Sequence, residues 1–168
     1  MTLLLKILHL PARLLYLALF LVAAGLLSFG RYLQHGLGLE PCPMCIMQRY
    51  AFATAALIGL IAAIHAPGRT GERVYAALIG AAALTGGTIA ARQSWMQINP
   101  PLIPECGPGL EFMLESFPLA QALPMIFRGA GDCTVIEWTF LGLSIANWSL
   151  VSFTATVLFA GWMLLRGR

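Results

Sequence analysis

The charges of this chain are spaced so widely that only hydrocarbon suits the stretches between them. No charge interrupts Leu14–Gly30 or Tyr50–Ala66 (17 residues each), Val74–Ala91 (18) or Trp138–Leu165 (28). A helix needs roughly 20 residues to cross about 30 Å of lipid core, and flanking tyrosines and arginines extend the shorter runs to the headgroups. The last run is too long for one span. Gly142, Asn147, Trp148 and Ser149 divide it into an interfacial stretch, Trp138–Ile145, and a helix starting near Asn147 or Trp148. The expected fold is an all-α integral membrane protein, a four-transmembrane-helix bundle forming a single domain over 1–168. Spans are expected at about 14–33, 46–65, 73–93 and 147–165. A short turn, Ala66–Gly71, joins the middle two. Outer loops are expected at about 34–45 and 94–146, the second long and carrying short helices such as Leu110–Glu115 and Ala120–Phe127.

Composition points the same way. The 168 residues are 59% hydrophobic and 10% charged, against about 25% charged in a soluble domain. That excludes a disordered tail and an ordinary cytosolic enzyme. A net charge of +3, scattered along the chain, leaves no footprint for nucleic acid. The lipid bilayer is the partner that such a surface requires.

The charges also orient the bundle. Lys6, Arg13, Arg69, Arg73, Arg166 and Arg168 share one side with Glu72. Arg31, Arg49, Arg92 and Arg128 share the other with six acids, Glu40, Glu105, Glu111, Glu115, Asp132 and Glu137. The positive-inside rule then puts both termini and the short turn in the cytoplasm and both long loops outside. The first apolar run continues past Val22-Ala23-Ala24, which argues against a cleaved leader there.

All four cysteines fall on the outer side, where disulfides persist in an oxidising compartment. Cys42-Pro43-Met44-Cys45 is a C-x-x-C at the entrance of the second span, where the helix dipole and unpaired N–H groups favour a thiolate. Cys106 and Cys133 lie in a loop rich in proline and glycine. Closing the small ring contributes only about 2 kcal/mol, and closing the larger one about 3.5 kcal/mol. Energetics alone makes the first pair a redox couple and the second a staple, while three connectivities stay open. A zinc site is disfavoured, since His35 is the only outer histidine. Two purely structural disulfides on a non-catalytic tetraspan scaffold are the alternative.

A redox couple needs an electron acceptor. The chain has no G-x-G-x-x-G fingerprint and no paired histidines for haem, which leaves a hydrophobic carrier dissolved in the bilayer, a quinone. Arg49 follows Cys45 by four residues and so shares its helix face. A cation there stabilises both a Cys45 thiolate and charge developing on a quinone oxygen. Gln93, next to Arg92 at the outer end of the third span, offers a hydrogen bond to a quinone carbonyl, and Met47 an apolar contact. Trp95, Trp138 and Trp148 fit an aromatic belt at the membrane interface. Ala51, Ala55, Gly59 and Ala63 form a small-residue ladder on span two. Ala82, Gly86 and Ala90 form another on span three, with Ala83, Gly87 and Ala91 beside it, and such faces allow close helix packing.

These residues together resemble the bacterial disulfide bond formation protein B family, inner-membrane thiol:quinone oxidoreductases, over essentially the whole chain. The matching words are Glu40-Pro41-Cys42-Pro43-Met44-Cys45 with Gln48-Arg49, Cys106-Gly107-Pro108, Gly131-Asp132-Cys133, and Trp138–Ser144 followed by Trp148. They also separate the chain from vitamin K epoxide reductase-like enzymes, which share only the C-x-x-C. The resemblance implies location in the bacterial inner (cytoplasmic) membrane, with two periplasmic loops. It also implies a relay. A Cys106–Cys133 disulfide would oxidise a periplasmic DsbA-type thioredoxin-like protein, with Cys106 forming the mixed disulfide. Electrons would then pass to Cys42–Cys45 through a transient Cys42–Cys133 bridge, and Cys45, beside Arg49, would deliver them to ubiquinone or menaquinone. On this expectation the second pair is not merely a staple. Some relatives carry a histidine where this chain has Gln93, an amide that donates a hydrogen bond but carries no proton at neutral pH.

Overall fold

The computed structural model describes residues 10–100, 115–118, 120–121, 124 and 133–166. Four long helices organise them: α1 (Ala12–Gly36), α2 (Pro43–His65), α3 (Arg69–Ile98) and α4 (Ile145–Arg166). Each is long and apolar enough to cross a membrane. They form an up-down bundle in which α1 packs on α2, α2 on α3, and α3 on α4. Exposed Leu21, Val22, Leu57, Ile64, Leu84 and Leu158 face outward from the bundle, as apolar side chains do where lipid is the solvent.

The boundaries follow local chemistry. Ala66 ends α2 in the left-handed conformation (φ 45°), and Pro67 then forbids further helix. α3 begins at Arg69 with Glu72 in its first turn, where an acid suits the positive helix end. It continues to Ile98, beyond the expected end near residue 93, because Gln93, Ser94 and Met96 keep a buried face while Arg92 and Trp95 point outward.

The stretch Trp138–Ile145, expected at the membrane surface, turns back on itself as a hairpin. β1 (Thr139–Phe140) pairs antiparallel with β2 (Leu143–Ser144). Leu141 (φ 53°) and Gly142 (φ 78°) form the tight turn between them, the positive-φ pair that a two-residue hairpin requires. Ser144 then accepts a hydrogen bond from Asn147 N at 3.3 Å, capping α4, so that helix starts at Ile145 rather than near 147 or 148. Its hydroxyl also donates to Gln97 Oε1 (2.6 Å), and Trp148 Nε1 donates to Phe140 O (3.0 Å). These bonds fasten the hairpin to α3 and α4. The helices expected around Leu110–Glu115 and Ala120–Phe127 lie largely outside the described residues, and Cys106 lies outside them entirely.

Small residues let the helices approach. The buried stripe on α3 is Ala83, Gly86 and Ala90, at i, i+3 and i+7, drawn from both ladders read in the sequence. Opposite it, the rings of Phe52 and Phe153 stack with centroids 3.9 Å apart and planes within 15°. A methyl group on Gly86 would run into the Phe153 ring and sit 2.8 Å from Ala51 Cβ. At the end of the bundle away from the cysteines, α1 and α4 meet. Tyr16 packs edge-on against Phe159 and donates to Glu72 O (2.6 Å), while Arg166 donates to Leu10 O.

Gly86→Ala is therefore expected to lower stability by about 1–3 kcal/mol through overpacking. Gly25→Ala, on an open face of α1 where no atom lies within 4 Å of the added carbon, should leave stability unchanged or raise it. Thermal unfolding of the two variants in detergent micelles checks the contrast.

Candidate functional site

At the end opposite the Tyr16–Phe159 contact, α2 starts inside the protein. Its first N–H groups have no partner within the helix, and Cys42 occupies the N-cap: its sulfur accepts from Cys45 N at 3.4 Å. Pro43 follows at the first helical position, where it lacks only an N–H that would be unpaired anyway. Cys-Pro-x-Cys is thus a helix-start sequence whose capping atom is a sulfur.

Cys42 Sγ donates to Cys45 Sγ across 3.0 Å. Among the described residues, no disulfide joins Cys42, Cys45 and Cys133 to one another. Cys42 and Cys133 are both buried and share an apolar cluster with Met44, Ile89 and Met96. Hydrogen bonding to Cys133, then to Cys45, together with burial, pushes the Cys42 thiol well above the ordinary range. The structure thus brings three of the four cysteines to one place. The fourth, Cys106, is outside the described residues.

Gln93 links the cysteines to the rest of the bundle. Its Nε2 lies 3.3 Å from both Cys42 Sγ and Cys45 Sγ. Its Oε1 accepts from Gln48 Nε2 at 2.7 Å and lies 3.7 Å from Cys45 Sγ. The shorter contacts govern: the oxygen is engaged by Gln48, and the amide nitrogen faces the sulfurs. Both glutamines are only 3% exposed, so each amide must find partners inside the protein.

Arg49 turns to α1, donating to Gln34 Oε1 (2.6 Å) and Gly30 O (3.0 Å). It lines, with Cys42, Cys45, Gln48 and Gln93, a largely apolar cavity of about 860 Å³ between the cysteine ends of the helices. Met47 is not part of that lining. It packs behind the cysteines against the Cys42–Met44–Met96 cluster. Arg92 is exposed, while Gln93 beside it on α3 is buried.

Of the three tryptophans expected in an aromatic belt, Trp95 is exposed and the other two have a further place. Trp138 and Trp148 line the cavity, because the hairpin folds back over it. Phe29 meets Trp138 edge-on at 5.7 Å, Trp138 stacks on Phe140 at 6.1 Å, and Phe140 lies 6.0 Å from Trp148. Gln48 is the neighbour of the cysteine cluster to which the sequence assigned no role of its own. Its signal was a polar side chain three residues after Cys45 in an otherwise apolar helix, on the face that Cys45 shares.

Comparison with known proteins bears on this arrangement. A family model described as "Disulfide bond formation protein DsbB" matches residues 12–163. Among similar proteins, disulfide bond formation protein B of Azoarcus sp. (strain BH72) is 64% identical, covering 92% of this chain and 93% of the relative. Its counterpart in Aromatoleum aromaticum is 65% identical over 93% of this chain and 94% of the relative. That of Hahella chejuensis is 50% identical over 84% and 86%.

The raised Cys42 thiol has a measurable consequence. In reduced protein, iodoacetamide labelling of Cys42 should stay slow through neutral pH and rise only in alkaline solution, because the thiol keeps its proton. Cys133→Ala removes the largest cause of the shift. It should raise Cys42 labelling near pH 8 by on the order of ten-fold, read by peptide mass spectrometry.

Proposed function

The chain belongs to the DsbB family of disulfide bond formation proteins, and from that membership we propose that it is a thiol:quinone oxidoreductase. It takes two electrons from a reduced DsbA-type thioredoxin-like protein and delivers them to ubiquinone or menaquinone. The partner's dithiol becomes a disulfide, and the quinone takes up two electrons and two protons. The observation that carries this reading is the placing of the Cys42, Cys45 and Cys133 thiols beside an apolar cavity that Arg49 also lines.

In this reading the Cys106–Cys133 pair meets the partner. Cys133 packs against Cys42, so electrons pass to the Cys42–Cys45 pair through a Cys42–Cys133 bridge without α2 changing place. Thiol–disulfide exchange moves one bond at a time through such mixed disulfides. Cys42 holds a proton at rest and directs it toward Cys45 Sγ. On Cys45 two donors converge, the Cys42 thiol and Gln93 Nε2; donors preorganised around a sulfur stabilise the negative charge that exchange develops there.

The cavity suits a quinone. About 860 Å³ is ample for a ring and the start of an apolar tail. Its aromatic wall offers stacking faces, while Arg49 and Gln93 supply polar contacts for ring oxygens. Ordering Arg49 by two hydrogen bonds to α1 sets its place in advance of binding. The outer-side surplus of acids and the positive opposite end support a topology with the cysteines in the periplasm and both termini in the cytoplasm of the bacterial inner membrane.

The test is quinone absorbance, followed with purified protein in detergent and a reduced thioredoxin-like oxidase. Wild type should reduce quinone in proportion to partner oxidised, and Cys45→Ser should fall to the uncatalysed background. Quinone left untouched, with a partner demonstrably able to form its own disulfide, would overturn the proposal and leave the tetraspan scaffold with structural disulfides.

A further inference from the structure

We propose that Gln48 is a positioning residue, whose side-chain donor holds the Gln93 amide with its NH₂ group toward the Cys42 and Cys45 sulfurs. This rests on the redox role proposed above for that pair. An amide can present either face: two N–H donors on one end, an acceptor oxygen on the other. Toward sulfurs that gain negative charge during exchange, the two orientations act oppositely, since the donor end stabilises them and the oxygen end repels them. Something must choose between them, and the sulfurs alone do not, because a protonated thiol accepts or donates.

Gln48 makes the choice. Its Nε2 lies 2.7 Å from Gln93 Oε1, the shortest contact either amide makes. Both side chains are 3% exposed, so reversing Gln93 against a Gln48 that keeps its place would set two NH₂ groups against each other with little room for water between them. The orientation is locked from behind, three residues along α2 from Cys45, and the lock touches neither sulfur.

A carboxylate in place of the Gln48 amide inverts the choice. Gln48→Glu puts an acceptor against Gln93 Oε1. Gln93 then turns its NH₂ to the carboxylate and its oxygen to the sulfurs. When the introduced carboxyl is protonated it again donates, and the original orientation returns. The other titratable or charged groups facing this cluster are the Cys42, Cys45 and Cys133 thiols, Arg49 next to Gln48, and Glu40 and Glu137 in the cavity wall. All are common to wild type and variant; the introduced carboxylate is the one group that differs, and its direct effect on the sulfurs is what the Gln93→Leu background reads.

The experiment uses reduced full-length protein in detergent micelles with glutathione disulfide, and neither quinone nor protein partner. Two protein thiols close to one disulfide as one glutathione disulfide is reduced to two glutathiones. Acid quenching, alkylation and peptide mass spectrometry read Cys42–Cys45 closure. At pH 8, Gln48→Glu should close on the order of 10- to 100-fold more slowly than wild type, the range expected for a hydrogen bond to a charged group. The gap should narrow as pH falls. In a Gln93→Leu background, Gln48→Glu should change the rate less than about two-fold, since a residue acting only through Gln93 has nothing left to act on. Equal rates for Gln48→Glu and wild type would overturn the proposal. So would a loss that persists without Gln93 and runs parallel across pH, which marks a packing residue. Should Gln48→Glu not fold, Gln48→Met removes the donor without adding charge, and its slowing must likewise vanish with Gln93→Leu. A failed quinone assay with this pattern intact would sink the quinone reading and leave Gln48 in place; the converse holds too.

Discussion

The first turn of α2 begins away from water, and its orphan N–H groups must be satisfied there. Most helices solve this with a hydroxyl or carboxylate; here the atom is the sulfur of Cys42. That substitution couples structure to chemistry. The capping atom is also one half of the C-x-x-C pair, so its position is fixed by the helix it begins, and Cys45 is fixed one turn later on the same rigid element. Pro43 sharpens the helix start, and Gln93 reaches across from α3 to the same two sulfurs. The C-x-x-C pair is a structural part of the bundle rather than an appendage on a loop.

Around that point a cavity opens among the helices. Tyr16, Phe159 and Arg166 hold α1 against α4 at one end, and the small residues of α2 and α3 bring the middle of the bundle together at Gly59 and Gly86. At the cysteine end, the bulk of Trp138, Phe140, Trp148 and Phe29 takes the space between α1 and α4, and a cavity remains. Dispersion between lipid-facing helices is no stronger than between helix and lipid, so close packing depends on small faces. Where those faces stop, a cleft is the natural result.

Much of this was legible in the sequence. Charge-free runs located four spanning helices because an unpaired charge in hydrocarbon is costly enough to be rare. Cys-Pro-x-Cys marked a helix entrance because proline suits only that place. The far end of α3 was not legible: Arg92 reads as the end of a span, and only the packing of Gln93, Ser94 and Met96 shows that the helix runs on. The hairpin at residues 139–144 was hidden for another reason. Leu141 adopts positive φ without being glycine, held by the Ser144 and Trp148 hydrogen bonds, and no propensity rule anticipates that. The pairing of Gln48 with Gln93 spans 45 positions. Periodicity places each on a helix face, but only the packing of α2 against α3 makes the faces meet.

The neutrality of that pair has a consequence of its own. An ionisable group at position 93 would change charge with pH beside the sulfurs, and in a low-dielectric interior each change would be felt strongly. Two amides avoid this: their hydrogen bonds hold at any pH the protein meets, so their own contribution to the field at Cys45 does not change with pH. What they give up is the capacity to carry a proton. Among the described groups lining the cavity, the acidic side chains are then the Cys42 and Cys45 thiols and the carboxyls of Glu40 and Glu137. Cys42 is the one whose thiol is pushed upward and aimed at Cys45. On the proposed reading, proton handling and helix capping fall to the same sulfur, while the glutamines serve orientation. That division explains why the amides are buried so completely, since an amide that only orients gains nothing from water and loses its direction if water reaches it.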